Sequence, residues 1–195
     1  MNYFENPKEI CINGKYYKIR TDYRDILTIL EAFEDKELLQ TEKLEVLISI
    51  LYKDTPPNCE ETFIKAYQFL DVNIEEFFYN RNKKFNKKKN NKSEERYYSF
   101  VKDWQLIVGA LNNYFGFSIR EAEYIHWWDF IAAFNNIGES TFSHVIDLRK
   151  RKKENKLTDD EKKYYYKNRE WLDLDYEEID YNKLFDDLNK NLGRR

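Results

Sequence analysis

The apolar positions near the N-terminus predict a β-hairpin followed by three amphipathic helices. Residues 9–19 read as two short strands around Asn13-Gly14, a pair that tolerates the positive φ angles of a tight turn. Thr21 and Asp22 are the candidate N-caps of the first helix, and Thr41 is that of the second. The helical i, i+3, i+4, i+7 spacing is carried by Tyr23, Ile26, Leu27, Leu30 and Phe33, then by Leu44, Leu47, Ile48 and Leu51, and then by Phe63, Ala66, Tyr67 and Leu70.

The same spacing organises the C-terminal half around a very apolar helix, predicted from Ile119 to Ile137. Ser118 and Glu121 have the spacing of a capping box, and Gly138 ends the helix. Its main stripe consists of Ile119, Ala122, His126, Phe130, Ala133 and Ile137, with Trp127 and Phe134 beside it. Because a helix that is apolar nearly all round must be buried or covered, we expect it at the centre of this half.

Three further helices are predicted around it. The first carries the stripe Phe100, Trp104, Ile107, Leu111 and Tyr114 and ends at Gly116. A short second helix begins at Ser140 or Thr141 and continues through Ile146 into a basic stretch. Thr158 and Glu161 form another capping box, which opens a helix through Tyr164, Tyr165 and Trp171.

Charge interrupts this pattern with a lysine-rich run, in which seven of the twelve residues from Arg81 onward are cationic. Such a run repels itself and buries little apolar area, which predicts a solvated, flexible loop over 81–96. Three interpretations stay open for this loop. It is a plain linker, a dock for an acidic partner, or a contact with a nucleic-acid backbone in which Phe85, Tyr97 and Tyr98 stack on bases.

The C-terminus combines an acidic spacer with one more apolar stripe. Five carboxylates lie in the eight residues from Asp173 to Asp180 and favour an extended chain. The candidate partner-binding residues follow: Tyr181, Leu184, Phe185, Leu188 and Leu192. Their helix either packs against the rest of the chain or lies in a partner's groove. The predicted division is 1–80 for the hairpin and first helices, 81–96 for the basic loop, 97–174 for the aromatic-rich helical part, and 175–195 for the spacer and tail helix.

Composition favours a mainly α fold, a helical bundle with an N-terminal β-hairpin. Of 195 residues, 42% are hydrophobic, whereas five are Gly and three are Pro, which argues against a turn-rich sheet. The net charge of -3 lacks the basic signature of nucleic-acid-binding proteins. No apolar run reaches the ~18 residues of a membrane span, and the N-terminus does not resemble a signal peptide. Cys11 and Cys59 lack a CxxC spacing, so we expect a soluble protein of a reducing cytoplasm.

No motif in the sequence points to catalysis, so we expect a non-enzymatic protein without cofactor or metal. His126 and His144 lie far apart without the HExxH spacing of a zinc site. His126 is either a base or ligand beside Trp127 and Trp128, or an interior histidine whose hydrogen bonds fix the packing. No Cys, Asp or Glu shares its helical face at ligand spacing, which favours the interior role.

An ordered series of aromatic motifs follows the lysine-rich run. It starts at Tyr98–Phe100, continues with Tyr-x-His-Trp-Trp-x-Phe over 124–130, and ends with Phe-Ser-x-x-Ile-x-x-Arg over 142–149. In this order the motifs resemble the gene-product-fifteen family of bacteriophage proteins, and the resemblance covers most of residues 9–174. Its most specific part, a structural signature, consists of His126, Trp127, Trp128 and Phe130.

The resemblance implies a tail assembly chaperone of long-tailed phages. Such a protein binds the tape measure protein, keeps it soluble and helps tail-tube subunits gather around it, in the host cytoplasm and not in the mature virion. Repeated apolar stripes along that client favour several chaperone copies, and hence a homo-oligomer. Two other function classes stay open, namely a nucleic-acid-binding phage accessory protein that uses the basic loop and an inhibitor of a host enzyme.

Overall fold

The predicted mainly α fold with an N-terminal β-hairpin is confirmed. A computed structural model of the chain describes residues 5–70 and 97–174. Within these ranges it contains two strands and eight helices. They are β1 (Glu9–Ile12), β2 (Lys15–Lys18), α1 (Tyr23–Glu34), α2 (Gln40–Leu51), α3 (Glu60–Leu70), α4 (Trp104–Phe115), α5 (Trp127–Asn135), α6 (Thr141–Lys153), α7 (Asp159–Lys167) and α8 (Arg169–Leu172). None of these helices is long and apolar enough to cross a membrane.

The contacts of the chain group it into two compact units. The described part of the first unit comprises residues 5–70 and 124–131, and that of the second comprises 97–123 and 132–174. Residues 124–131 therefore belong to the first unit, although the sequence pattern grouped them with 97–174. The basic loop 81–96 and the tail 175–195 lie outside the described residues.

The hairpin forms as the turn sequence predicts. Strands β1 and β2 are antiparallel, with Ile12 opposite Lys15. Asn13 and Gly14 have φ angles of 49° and 77°, as a two-residue turn of mirror-image type requires. The pairing extends beyond β2, since Ile19 forms a bridge with Tyr52 after α2.

Local caps set most of the helix ends in the first unit. Helix α1 has the predicted N-cap Asp22, whose carboxylate accepts a hydrogen bond of 2.9 Å from the Arg24 amide. Helix α2 begins at Gln40, so its N-cap is Leu39, two residues before the predicted cap Thr41. The prediction was wrong because the Glu42 carboxylate accepts from the Leu39 amide at 2.7 Å and starts the helix earlier. The fully buried core of this unit includes Ile12, Tyr23, Ile26, Ile29, Leu47 and Leu51.

The predicted helix over 119–137 is wrong in its first half, since α5 begins only at Trp127. The Trp127 amide donates to the Thr21 carbonyl at 2.7 Å, and the Tyr23 amide donates to the Ile125 carbonyl at 3.0 Å. This short antiparallel pairing uses backbone groups that a helix would need for its own i→i−4 bonds. The supposed capping box at Ser118 forms a single turn, in which Glu121 donates to the Ser118 carbonyl.

Helix ends in the second unit follow the predictions in part. Helix α4 begins at Trp104 and not near Phe100, because the Ser99 hydroxyl accepts from two following backbone amides and holds a turn there. Its C-cap is Gly116, as predicted, with a φ of 74°. Helix α6 continues beyond the predicted end at Ile146 to Lys153, since cations in its last turn favour a helix C-terminus.

The capping box predicted for α7 is confirmed. The Glu161 amide donates to the Thr158 hydroxyl at 3.3 Å, and the Thr158 amide donates to the Glu161 carboxylate at 2.9 Å. The predicted single helix through Trp171 is two helices, which part at Asn168. Leu148, Leu157, Tyr165 and Leu172 pack around Val145 in one hydrophobic cluster of the second unit.

Candidate functional site

The two tryptophans of the signature donate hydrogen bonds to backbone carbonyls of α3 in the first unit. The Trp127 indole donates to the Leu70 carbonyl at 3.1 Å, and the Trp128 indole donates to the Phe69 carbonyl at 3.2 Å. Both carbonyls belong to α3, so these two hydrogen bonds attach Trp127 and Trp128 to that helix.

Aromatic packing holds the signature in place. Trp127 and Phe130 are buried, and their rings stack on each other with centroids 5.5 Å apart. The Phe130 ring also stacks on that of Tyr23, with centroids 4.9 Å apart and planes nearly parallel. These contacts place Trp127 and Phe130 in the core of the first unit, whereas Trp128 is half-buried.

His126 is 3% exposed and uses both ring nitrogens. Its Nδ1 accepts from the Trp128 amide at 3.0 Å, so the ring proton lies on Nε2, which faces the Pro7 carbonyl at 3.1 Å. Burial lowers the pKa of His126, which keeps the ring neutral at pH 7. This is the geometry of an interior histidine that fixes packing. Among the described residues, no group of three or more His, Cys, Asp or Glu is arranged to hold a metal ion.

A buried ion pair organises the second unit. The side chains of Arg149 and Asp103 are 4% and 2% exposed and meet through two hydrogen bonds of 2.7 and 2.8 Å. The guanidinium makes three further bonds, to the carbonyls of Tyr97, Trp171 and Leu172. Its five donors therefore meet five acceptors, and a buried guanidinium requires such complete pairing. The sequence placed Arg149 in a motif and offered no signal for its partner, which lies 46 residues away.

A second polar cluster surrounds Asp173. Its carboxylate accepts from Lys152 at 2.5 Å, from the Tyr165 hydroxyl at 2.6 Å and from Arg169 at 2.5 Å. Burial by itself would raise the pKa of Asp173, but these three hydrogen bonds outweigh it and hold the pKa well below its usual range. Burial and the hydrogen bond to Asp173 raise the pKa of Tyr165. The cluster fastens the last described residues to α6 and α7.

An aromatic patch, defined by Tyr114, Phe115 and Phe117, lies where α4 ends. The ring of Phe115 contacts those of Tyr114 and Phe117, with centroids 5.4 Å away in both cases. Tyr114 is 53% exposed and Phe117 is 49% exposed. Tyr114 was expected on an apolar stripe with buried residues, and Phe117 was not singled out by the sequence pattern.

The backbone around the patch is fixed by its own hydrogen bonds. Gly116 takes a left-handed conformation that turns the chain after the last helical residue, and its amide donates to the Asn112 carbonyl at 2.9 Å. The Asn112 side chain then accepts from the Ile119 amide at 2.9 Å. Aromatic side chains held exposed in this way are typical of protein-binding surfaces, because they offer large apolar area at small entropic cost.

Comparison with known protein families matches residues 6–174 to the family described as Bacteriophage Gp15 protein. The chain belongs to this family. No curated protein and no solved structure matches the chain.

The Gp15 match covers both units and ends where the described residues end. It includes the signature, the buried pair of Asp103 and Arg149, and the aromatic patch. The predicted partner-binding residues, from Tyr181 to Leu192, lie beyond the matched range and outside the described residues. The aromatic patch is therefore the candidate binding site within the Gp15 part of the chain, and the buried signature serves the fold.

Proposed function

We propose that this Gp15 family protein is a tail assembly chaperone that binds the tape measure protein of its phage. In this role it acts without catalysis or a cofactor, keeps the client soluble, and helps tail-tube subunits assemble. It works in the host cytoplasm and leaves before the virion is complete. Membership of a bacteriophage family over residues 6–174 supports this role, together with the resemblance that the aromatic motifs carry.

The observation that carries the proposal is the aromatic patch. A tape measure protein is a long helical chain whose apolar stripes would aggregate until the tail tube encloses them. Tyr114 and Phe117 present about half of their surface to solvent on a backbone fixed by Gly116 and Asn112. Such a patch suits one apolar stripe of a helix, bound weakly enough for later release.

Several copies are expected to act on one client. Each patch covers a short length of helix, so a long client with repeated stripes needs many chaperones, which favours self-association. The tail residues Leu184, Phe185, Leu188 and Leu192 are proposed as a second apolar contact, with the client or with another copy.

Co-expression with the tape measure protein of the same phage tests the proposal. We expect the client to be soluble and to co-purify only when the chaperone is present. A double variant, Tyr114→Ser with Phe117→Ser, should lose most of this effect while its melting temperature stays near that of the wild type. Tyr166→Ser is the matched control, because Tyr166 is 64% exposed and lies outside the patch.

Two results would overturn these statements. A client that is equally soluble without the chaperone, and never co-purifies with it, contradicts the chaperone role itself. A client that is protected equally well by the patch variant and by the Tyr166 control contradicts only the choice of the patch as the binding site.

A further inference from the structure

In the described residues, strand β2 has one edge that is paired only near its end. In an antiparallel ladder, successive residues direct their backbone groups alternately toward and away from the partner strand. The Ile19 amide donates to the Lys8 carbonyl across the hairpin, so Lys15 and Tyr17 also face β1. Tyr16 and Lys18 consequently direct their amide and carbonyl groups outward. The sheet in the described residues has two strands, and the Tyr16 side chain is 68% exposed.

The chain itself already uses part of this edge. The Lys18 carbonyl accepts from the Lys53 amide at 2.9 Å, and the Arg20 amide donates to the Leu51 carbonyl at 2.7 Å. The segment after α2 thus lies against the end of the hairpin like a third strand. Its pairing stops there. Within residues 5–70 and 97–174, the amide and carbonyl of Tyr16 and the amide of Lys18 have no hydrogen-bond partner.

Three lysines give the open edge a positive charge. Lys15, Lys18 and Lys53 are exposed, and within residues 5–70 and 97–174 none of them forms an ion pair. The Lys15 ammonium lies over the Tyr17 ring, 5.1 Å from its centroid. The neighbouring carboxylates are Glu9, opposite Lys18 on the inner strand, Asp54 beside Lys53, and Asp25, which interacts electrostatically with Lys53. Lysines on an edge strand disfavour non-specific pairing with other strands. Their charge attracts an extended segment that is acidic.

We propose that this edge binds the acidic segment 175–180 of a second copy of the chain as an added β-strand. Four of its six residues carry carboxylates: Asp175, Glu177, Glu178 and Asp180. Its charge is opposite to that of the edge, and it follows directly after Leu174, the last residue that the structure describes. Main-chain hydrogen bonds to Tyr16 and Lys18 provide the affinity, and the charges of the three lysines provide the specificity.

A charge exchange in the full-length chain tests this proposal. The edge variant carries Lys15→Glu, Lys18→Glu and Lys53→Glu, and the tail variant carries Asp175→Lys, Glu177→Lys, Glu178→Lys and Asp180→Lys. Sedimentation velocity at low salt should show association for the wild type and a loss of association for each variant alone. An equimolar mixture of the two variants should associate again, because each then offers the complement of the other.

A proline substitution tests the strand pairing separately from the charge. Tyr16→Pro removes the outward amide of an edge strand, a position where proline is tolerated, so self-association should weaken roughly tenfold, the effect of about one lost hydrogen bond. Tyr16→Ala is the matched control, because it removes the same side chain and keeps the amide. Circular dichroism and melting curves confirm that every variant folds.

The proposal is overturned if the folded wild type remains monomeric, or if the mixture of charge variants stays as monomeric as each component. Equal association of Tyr16→Pro and Tyr16→Ala also overturns it. Hydrogen exchange distinguishes binding within one chain. If the protein is a monomer and the tail variant exchanges faster at Tyr16 than the wild type, the segment binds its own chain, and the claim of a second copy is overturned. No client protein is present in these assays, so their failure is distinct from a failure of the chaperone proposal.

Discussion

The two units of the protein satisfy buried backbone carbonyls with different kinds of donor. In the first unit, the neutral indoles of Trp127 and Trp128 donate to two backbone carbonyls of α3. In the second, the charged guanidinium of Arg149 binds three carbonyls and one carboxylate. Both arrangements hold chain segments that are distant in the sequence, but the second depends on a buried charge.

That difference determines how much stability each unit loses when its hydrogen-bond donor is removed. A neutral donor leaves one unpaired carbonyl when it is lost. A buried arginine leaves its carboxylate partner as an uncompensated charge as well as several unpaired carbonyls, which is far more costly. The stability of the second unit therefore depends more strongly on one residue, whereas in the first unit several aromatic side chains share this role.

The largest effect is expected from Arg149→Met. This substitution leaves Asp103 buried without its cation, and we expect the free energy of unfolding to fall by about 3 to 5 kcal/mol, measured by urea denaturation of the full-length chain. Arg151→Met is the control. Arg151 pairs with Asp147 and Glu161 at a more exposed position, where such pairs contribute about 0 to 1 kcal/mol.

A double variant tests whether the buried charge of Asp103 causes the stability loss of Arg149→Met. Combining Arg149→Met with Asp103→Leu removes the charge that the single substitution leaves behind, and it should recover part of the lost stability. The recovery is incomplete because the carbonyls of Tyr97, Trp171 and Leu172 remain without donors and the Ser99 amide loses its acceptor. A double variant no more stable than Arg149→Met would show that these unpaired backbone groups cost at least as much as the buried charge.

A smaller effect is expected from Trp127→Phe in the first unit. The change removes the donor to the Leu70 carbonyl and leaves a small void, so we expect a loss of about 2 to 3 kcal/mol in thermal or urea unfolding. Trp171→Phe is the matched control in the second unit. That side chain is 41% exposed, and the change should alter stability by no more than about 0.5 kcal/mol. Equal losses in the two variants would contradict the role given to the buried indole.

The smallest effect is a difference in acid sensitivity between the two units. Because the pKa of His126 is lower in the folded chain, the unfolded chain binds the proton first, and stability falls as the pH drops below about 6.5. The pKa of Asp173 is also lowered. For a carboxylate, a lowered pKa stabilises the fold at pH values above the usual pKa, and this contribution is lost only below about pH 3.9. At pH 5 the contribution of His126 is therefore falling, whereas that of Asp173 is intact.

Hydrogen exchange at pH 7 and pH 5, corrected for intrinsic rates, measures this difference. The Trp128 amide, bonded to His126, should lose protection at pH 5, whereas the Asp173 amide, bonded to the Arg169 carbonyl, should keep it. His126→Asn is the control, since its side-chain oxygen can accept from the same amide without titrating. The interpretation fails if this variant shows the same loss at pH 5 as the wild type.

Much of the secondary structure was predictable because its signals are local. The Asn13-Gly14 turn, the Asp22 cap, the Gly116 terminus and the Thr158 capping box each depend on residues within a few positions. The candidate binding site was not predictable in this way. Tyr114 has the spacing of a buried stripe, and only its position at the end of α4, beside a chain turned by Gly116, leaves it exposed.

The sequence by itself determined the hairpin, the caps, the helical class and the aromatic signature of a phage protein family. It did so because turns, caps and amphipathic spacing are properties of neighbouring residues. Only the tertiary structure decided that the chain before Trp127 is extended, since Thr21 and Tyr23 take its backbone hydrogen bonds. Only the tertiary structure brought Asp103 to Arg149. These contacts join residues 46 to more than 100 positions apart, and no local spacing encodes which distant groups will meet.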